Sequence, residues 1–386
     1  MERQPALLAA HDTEAGRRPQ ALASWQQAGQ RAIARSAYVE AMAHLTRGLA
    51  VLESLPETPA RMQQELALQM ARGLVLLATE GYTAPEVAHA YTRAQALCHQ
   101  LGERPQSFPE LFGLGMLSLM RAQYHTVQAI GEQILRLNHS TSNPRFLVAA
   151  HGLLGVSCYY RGEGRRALPH LKRALACYDP ELQPITNVST YGLLTYGRAP
   201  GITCQVNTAW VLGWLGYADQ AQTMSARALT AARQLAHPLT LMHASFFAAR
   251  LQQQRQEVQQ TRAGVEALRP VVTAQKLPLW VARATMLHGW VLAMQGQVED
   301  GIAHVSQGLA TCRALGIVTL EPSWLALLAE LYGKAGQPEA GLAVLAEALA
   351  LVAQCDERMD EAELHRLTGE LLLMRAPGQS DGGVSA

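Results

Sequence analysis

Apolar positions in this chain follow two nested periods, the i, i+3, i+4 spacing of helix faces and a longer, regular beat of small residues. Gly369, Ala329, Gly289, Ala249 and Ala209 are evenly spaced on that beat, and Gly155, Gly115, Gly73 and Gly29 continue the series toward the N-terminus at less regular intervals. Positions 12, 16 and 19 after most of these small residues are small or aliphatic: Ala167, Leu171 and Ala174 after Gly155; Gly301, Val305 and Gly308 after Gly289; Gly341, Leu345 and Ala348 after Ala329; the units of Ala209 and Ala249 each admit one polar residue, Ser225 and Thr261. A small residue late in one helix lets a second helix cross closely, and the later positions share one face of that second helix. The pattern predicts an all-α, right-handed superhelical solenoid of eight helical hairpins and a terminal half-unit.

Breakers fall where the hairpins need them. Arg161-Gly162-Glu163-Gly164, Gly296-Gln297 and Gly333-Lys334-Ala335-Gly336-Gln337-Pro338 separate the two helices of a unit, while His237-Pro238, Leu277-Pro278 and Leu315-Gly316 separate units. Gly73 departs from the template because Pro85 occupies its first site, and a shift of five recovers Ala90, Ala94 and Leu97. The longest interval, from Gly155 to Ala209, holds an insertion, about 179–201, expected as a loop on one face of the stack. Residues 1–16 read as a lead-in helix, 17–375 as the solenoid and 376–386, rich in Gly and Ser, as a disordered tail.

Composition narrows the function classes. With 49% hydrophobic residues the chain can bury a large core, and it holds no unbroken apolar run long enough to span a bilayer, so no membrane span is expected. Lys+Arg 32 against Asp+Glu 31 leaves net charge +1, which gives nucleic acid no basic footprint to follow. The six cysteines form no Cys-x-x-Cys pair, which fits reduced thiols and a cytoplasmic location. Gly333-Lys334 lacks the spacing and hydroxyl of a phosphate loop, and His237 and His243 lack carboxylate or thiol companions at helical spacing, so no cofactor, metal or catalytic residue is expected. His151, His170, His288 and His304 read as residues of helix seams. Arg161, Arg165, Arg166, Lys172 and Arg173 read as a solvated hairpin tip that is also able to meet an acidic partner.

The small residue followed by an aromatic, a Gly-x turn, an Ala and a second small residue resembles the tetratricopeptide repeat; Gly155, Tyr159, Gly162, Ala167, Leu171 and Ala174 are its clearest copy. The unit here, about 40 residues, exceeds the ordinary repeat of about 34 residues and looks like the variant in large bacterial signal-transduction ATPases. Ser24-Trp25-Gln26-Gln27-Ala28-Gly29, Glu40-Ala41-Met42-Ala43-His44-Leu45 and Leu327-Leu328-Ala329-Glu330-Leu331-Tyr332-Gly333 resemble the C-terminal repeat region of bacterial adenylate/guanylate cyclase–predicted ATPase fusion proteins. The resemblance implies a non-catalytic scaffold or sensory module that mediates protein–protein contacts for an attached or associated ATPase or cyclase. Ala199 stands where such relatives tend to carry an acidic residue, so no role is transferred there.

In tetratricopeptide arrays the first helices line a concave groove. The resemblance therefore puts Trp210, Arg250, Trp290 and Glu330 on its inner wall, with Arg250 between two indoles, and Tyr160, Trp214 and Lys334 beside them. Such a groove suits an acidic or extended peptide. The same residues also suit simple packing between repeats, and an effector pocket formed by the insertion and the groove is the rival reading.

Overall fold

In the computed structural model, residues 5–80, 84–101, 108–141, 143–179 and 198–375 are described; they form eighteen α-helices and no strand. A lead-in helix, α1 (Pro5–Glu14), is followed by eight hairpins. These are α2 (Arg18–Ala34) with α3 (Tyr38–Glu53), α4 (Pro59–Thr79) with α5 (Pro85–Gln100), α6 (Phe108–Met120) with α7 (Tyr124–Thr141), and α8 (Pro144–Tyr160) with α9 (Gly164–Ala176). The second four are α10 (Pro200–Trp214) with α11 (Ala218–Leu235), α12 (Pro238–Gln254) with α13 (Val258–Gln275), α14 (Pro278–Met294) with α15 (Val298–Ala314), and α16 (Glu321–Lys334) with α17 (Pro338–Cys355). The half-unit α18 (Glu361–Arg375) ends the stack. All nine ladder residues lie on the first helix of their unit.

The close approach expected of those residues is present. A Cβ added to Gly155 would lie 2.6 Å from Leu171 Cγ, and one added to Gly29 would lie 2.8 Å from Leu45 Cδ2, the same template position in each unit. At the end of the first helix the backbone turns left-handed in most units: Gly162, Gly216, Gly296 and Gly336 do so, and Ser36, Ala122 and Gln256 adopt the same positive φ. In the shifted second unit, Ala90, Ala94 and Leu97 are buried on α5 as the pattern requires. Pro at the first turn starts α4, α8, α10, α12, α14, α16 and α17, where its missing N–H costs nothing.

First and second helices are buried differently. α8 buries Val148, Ala150, His151 and every residue from Leu153 to Tyr160, whereas α11 buries only Ala221, Ala228 and Ala232. A helix apolar all round is a core helix; one apolar stripe marks an outer layer. α17 is such an outer helix, burying Gly341, Leu345, Ala348 and Val352, yet Pro338–Cys355 is long and apolar enough by composition to cross a membrane. That corrects the sequence reading, which counted no apolar run of this length: Glu339 and Glu347 interrupt the run without lowering its mean hydropathy of 1.4 below the span range.

The stack curls until it meets itself. The amides of Val318 and Thr319, between α15 and α16, donate to the Met120 carbonyl at 3.0 and 3.2 Å, and the Met359 amide, between α17 and α18, donates to the Tyr160 carbonyl at 3.2 Å. α4 likewise touches α14. The C-terminal hairpins thus lie against the inner wall of the middle ones.

Candidate functional site

Trp210 on α10, Arg250 on α12, Trp290 on α14 and Glu330 on α16 come from successive layers, as expected. Trp210 and Arg250 are only 4% exposed, however, and Trp290 is fully buried. The Trp210 indole N–H donates to the Phe247 carbonyl at 3.2 Å, and its ring meets Phe247 edge-on at 4.9 Å. Arg250 does not lie between two indoles of the row. Its guanidinium stands 4.5 Å over Trp324, with Nη2 donating to Ser323 Oγ at 2.6 Å and Nη1 to Gln253. The partner comes from α16, two layers onward, because the superhelix curves tightly enough for the inner edges of α12 and α16 to meet. Burial pulls the Arg250 guanidinium down to about 10, against Asp360, Tyr159 and Glu330, which favour its charge. Glu330 is half-buried, and burial pushes its carboxyl up against the pull of the exposed Lys334, whose Nζ lies 3.9 Å away.

Tyr160 and Trp214 take part in a second, partly accessible constellation on α7, α8 and α10. Trp214 is 41% exposed, and its indole N–H donates to the Met359 carbonyl at 2.7 Å. Tyr160 is buried and stacks on Tyr124, ring centroids 5.3 Å apart. Arg161, expected at a solvated tip, instead donates from Nε to Asp356 Oδ2 at 2.9 Å and from Nη1 to Gln128 at 2.9 Å. His125 Nε2 lies 3.3 Å from the same Asp356 carboxylate. The Tyr124 hydroxyl donates to Glu357, and the Leu320 amide donates to Glu357 Oε1 at 3.0 Å. Tyr160, Trp214 and Arg161 thus converge with Tyr124 on the turn Asp356-Glu357-Arg358-Met359-Asp360, while Trp210, Trp290 and Glu330 stay apart from it. Nothing on the ladder of small residues marks that turn; its run of carboxylates after α17 is the one sequence signal it carries.

The electrostatics differ sharply within the turn. Burial pushes the Glu357 carboxyl up to about 8, the Tyr124 hydrogen bond opposing and Asp360 reinforcing the shift. Burial works the same way on Asp356, but hydrogen bonds from Arg161 and Arg358 outweigh it and hold that carboxyl below its usual range. Asp356 is therefore the charged contact and Glu357 the neutral one.

The seam histidines pair off. His151 and His170 face each other with Nδ1 atoms 3.0 Å apart, and His288 meets His304 edge-on at 5.4 Å. Burial, with His170 and Arg173 nearby, lowers His151 to about 4. The thiols of Cys158, Cys177, Cys204, Cys312 and Cys355 are free, and Cys177 packs beside Cys204 in a small cluster separate from the one holding Cys158. Two open clefts lie away from the inner wall. One of about 590 Å³ sits beside Trp25 and Arg47, and one of about 530 Å³ beside Arg269, His288 and His304. Of the insertion, residues 180–197 lie outside the described residues, as does the tail 376–386, so the pocket expected from the insertion does too.

No family model matches the chain. An uncharacterized protein of Rhizobium meliloti (strain 1021) is 21% identical over 382 residues, covering 98% of this chain and 36% of the relative. The chain therefore spans about a third of that relative's length. Among solved structures, Rap protein complexed with Competence and Sporulation Factor superposes with TM-score 0.57 at 10% identity, covering 92% of this chain and 99% of the other. The Signal Transduction ATPase with Numerous Domains protein with a tetratricopeptide repeat sensor from Pyrococcus horikoshii gives TM-score 0.42 at 14% identity, covering 85% and 45%. What this chain shares with known structures is the tandem helical-hairpin solenoid of the tetratricopeptide-repeat type.

Proposed function

We propose that this chain is a non-catalytic interaction module that takes a protein or peptide segment against its inner wall, in the cytoplasm and in the service of a signal-transduction ATPase or cyclase. The single observation that carries the reading is how that wall holds chain: Trp214 donates to a main-chain carbonyl and the Tyr160 carbonyl accepts a main-chain amide of the same residue, Met359. Contacts to both polar groups of one residue's backbone suit recognition of a polypeptide, with side chains adding selectivity. Arg161 supplies a rigid planar cation for a carboxylate. Rap protein, which has the same fold, is solved in complex with Competence and Sporulation Factor. Turnover would belong to the attached or associated partner.

A photo-cross-linking residue in place of Trp214 tests this in the native host. It is expected to capture a defined protein partner, whereas the same residue in place of the exposed Arg227 on the outer helix α11 captures none. Equal capture at both positions, or none at either, refutes the reading.

A further inference from the structure

We propose that the site made by Tyr124, Tyr160, Arg161 and Trp214 takes an acidic segment of a protein partner, and that the turn Asp356–Asp360 of this same chain occupies it as a built-in competitor. The inference rests on the interaction-module reading and names the chemistry of its ligand.

The occupant comes from far along the chain. Arg161 meets Asp356 across 195 residues, Trp214 meets Met359 across 145 and Tyr124 meets Glu357 across 233. Its contacts are of two kinds. The Met359 amide and carbonyl are both engaged, at 3.2 Å to the Tyr160 carbonyl and 2.7 Å to the Trp214 indole, which any residue but proline at that position would permit. The acidic side chains select: Asp356 is placed between Arg161 Nε and His125, and Glu357 is placed on the Tyr124 hydroxyl. A partner segment with acidic residues ahead of an apolar one, as in Asp356-Glu357-Arg358-Met359, would reproduce both sets.

The built-in occupant is also a poor one, as a displaceable competitor must be. Glu357 is 1% exposed and must be held neutral by its surroundings at physiological pH. Asp356 adopts a left-handed conformation, φ 60°, which Asp visits more readily than most residues but still at a small cost relative to Gly. A partner free of the α17–α18 connection could meet Arg161 without either penalty. The rim is reachable, because Trp214 is 41% exposed and Arg358 stands in solvent, where it pairs with Asp356 and Glu361. Displacement would also part the turn at Val318 and Thr319 from Met120, so it would release the last hairpin and α18 from the middle of the solenoid.

The test uses the whole chain, small-angle X-ray scattering, hydrogen exchange, and one probe: a synthetic peptide of residues 356–362, capped at both ends. Asp356→Lys and Arg161→Glu are each expected to increase the radius of gyration and exchange of the Val318, Thr319 and Met359 amides, which donate across the contact. The double variant, with the charges exchanged, is expected to return to the wild-type radius, which separates opening from misfolding. Because binding to a minor open state is reduced by that state's population, the peptide should bind Asp356→Lys at least about ten-fold more tightly than wild type. Neither Arg161→Glu nor the double variant should bind it, and a peptide with Lys in place of both leading acids should bind neither the wild type nor Asp356→Lys. Wild-type radius and exchange in both single variants overturn the competitor, while leaving inner-wall recognition to the cross-linking experiment. An opened Asp356→Lys variant that ignores the acidic peptide, or binds the Lys peptide equally, overturns the ligand class.

Discussion

Glu357 is a carboxyl that the fold keeps protonated. It is enclosed by Tyr124 on α7, Tyr160 on α8, the turn before α16 and its own neighbour Asp360, and burial raises it from 4.5 to about 8. A raised carboxyl contributes stability that is intact below its unfolded value. Between there and the folded value the unfolded chain ionises at this position while the folded one stays neutral, so stability falls as pH rises and levels off once the folded group titrates. The slope expected from one such group is about 1 kcal/mol per pH unit. Asp356 next to it acts in the opposite sense, but its shift lies below the usual carboxylate range and is complete at lower pH. Urea midpoints of the wild type should therefore decline from about pH 6.5, above which the buried histidines are neutral in both states, to about pH 8. Glu357→Gln keeps an acceptor for Tyr124 and the Leu320 amide but has no proton to lose, and should decline less over the same range. Parallel declines in the two proteins would show that Glu357 is not the group responsible.

At the scale of the helical hairpin, the small residue of the ladder sets how closely two helices cross. In Gly155→Ala the new methyl would lie 2.6 Å from Leu171 Cγ and 3.3 Å from the Ala167 carbonyl, so α8 and α9 must part, at an expected cost of about 1–3 kcal/mol. Gly369 holds the equivalent place on α18, but nothing lies within 4 Å of its added Cβ. Gly369→Ala should therefore gain about 0.5–1 kcal/mol from helix propensity. Thermal denaturation of the two variants should shift the midpoint in opposite directions; a shift of the same sign would mean the ladder residue does not govern the crossing. This level of the structure was legible from sequence because its contacts are local. Gly155 meets Leu171 within one hairpin, and the even spacing of the ladder repeats that arrangement from layer to layer. Even the irregular second unit could be aligned, since Ala90, Ala94 and Leu97 kept their helical spacing beyond Pro85. The partner of Arg250 was not legible. The ladder places its neighbours in the adjacent units, while Trp324 is reached only through the curvature accumulated over two layers.

The whole molecule depends on that accumulated curvature. A solenoid held only by neighbouring layers behaves as a one-dimensional array and can unfold piecemeal. Here the ties from Val318 and Thr319 to Met120, from Met359 to Tyr160 and Trp214, and from Asp356 to Arg161 join layers that the chain separates widely. No pattern in the sequence announced them, because small inter-repeat rotations sum to decide which surfaces meet, and each rotation depends on side-chain packing between layers. The middle and last hairpins should therefore lose structure together in the native chain. Arg161→Glu removes the guanidinium shared by Asp356, Gln128 and Glu163 and leaves carboxylates facing one another; with Arg161 and Asp356 partly buried, the expected loss is about 1–2 kcal/mol. The larger consequence is a loss of coupling. In guanidinium, hydrogen exchange of α8 and of α16 should follow a single transition in the wild type and two separated transitions in Arg161→Glu, with α8 itself still helical between them. Coincident transitions in the variant would mean that the inner-wall contact is incidental and that neighbouring layers alone hold the fold together.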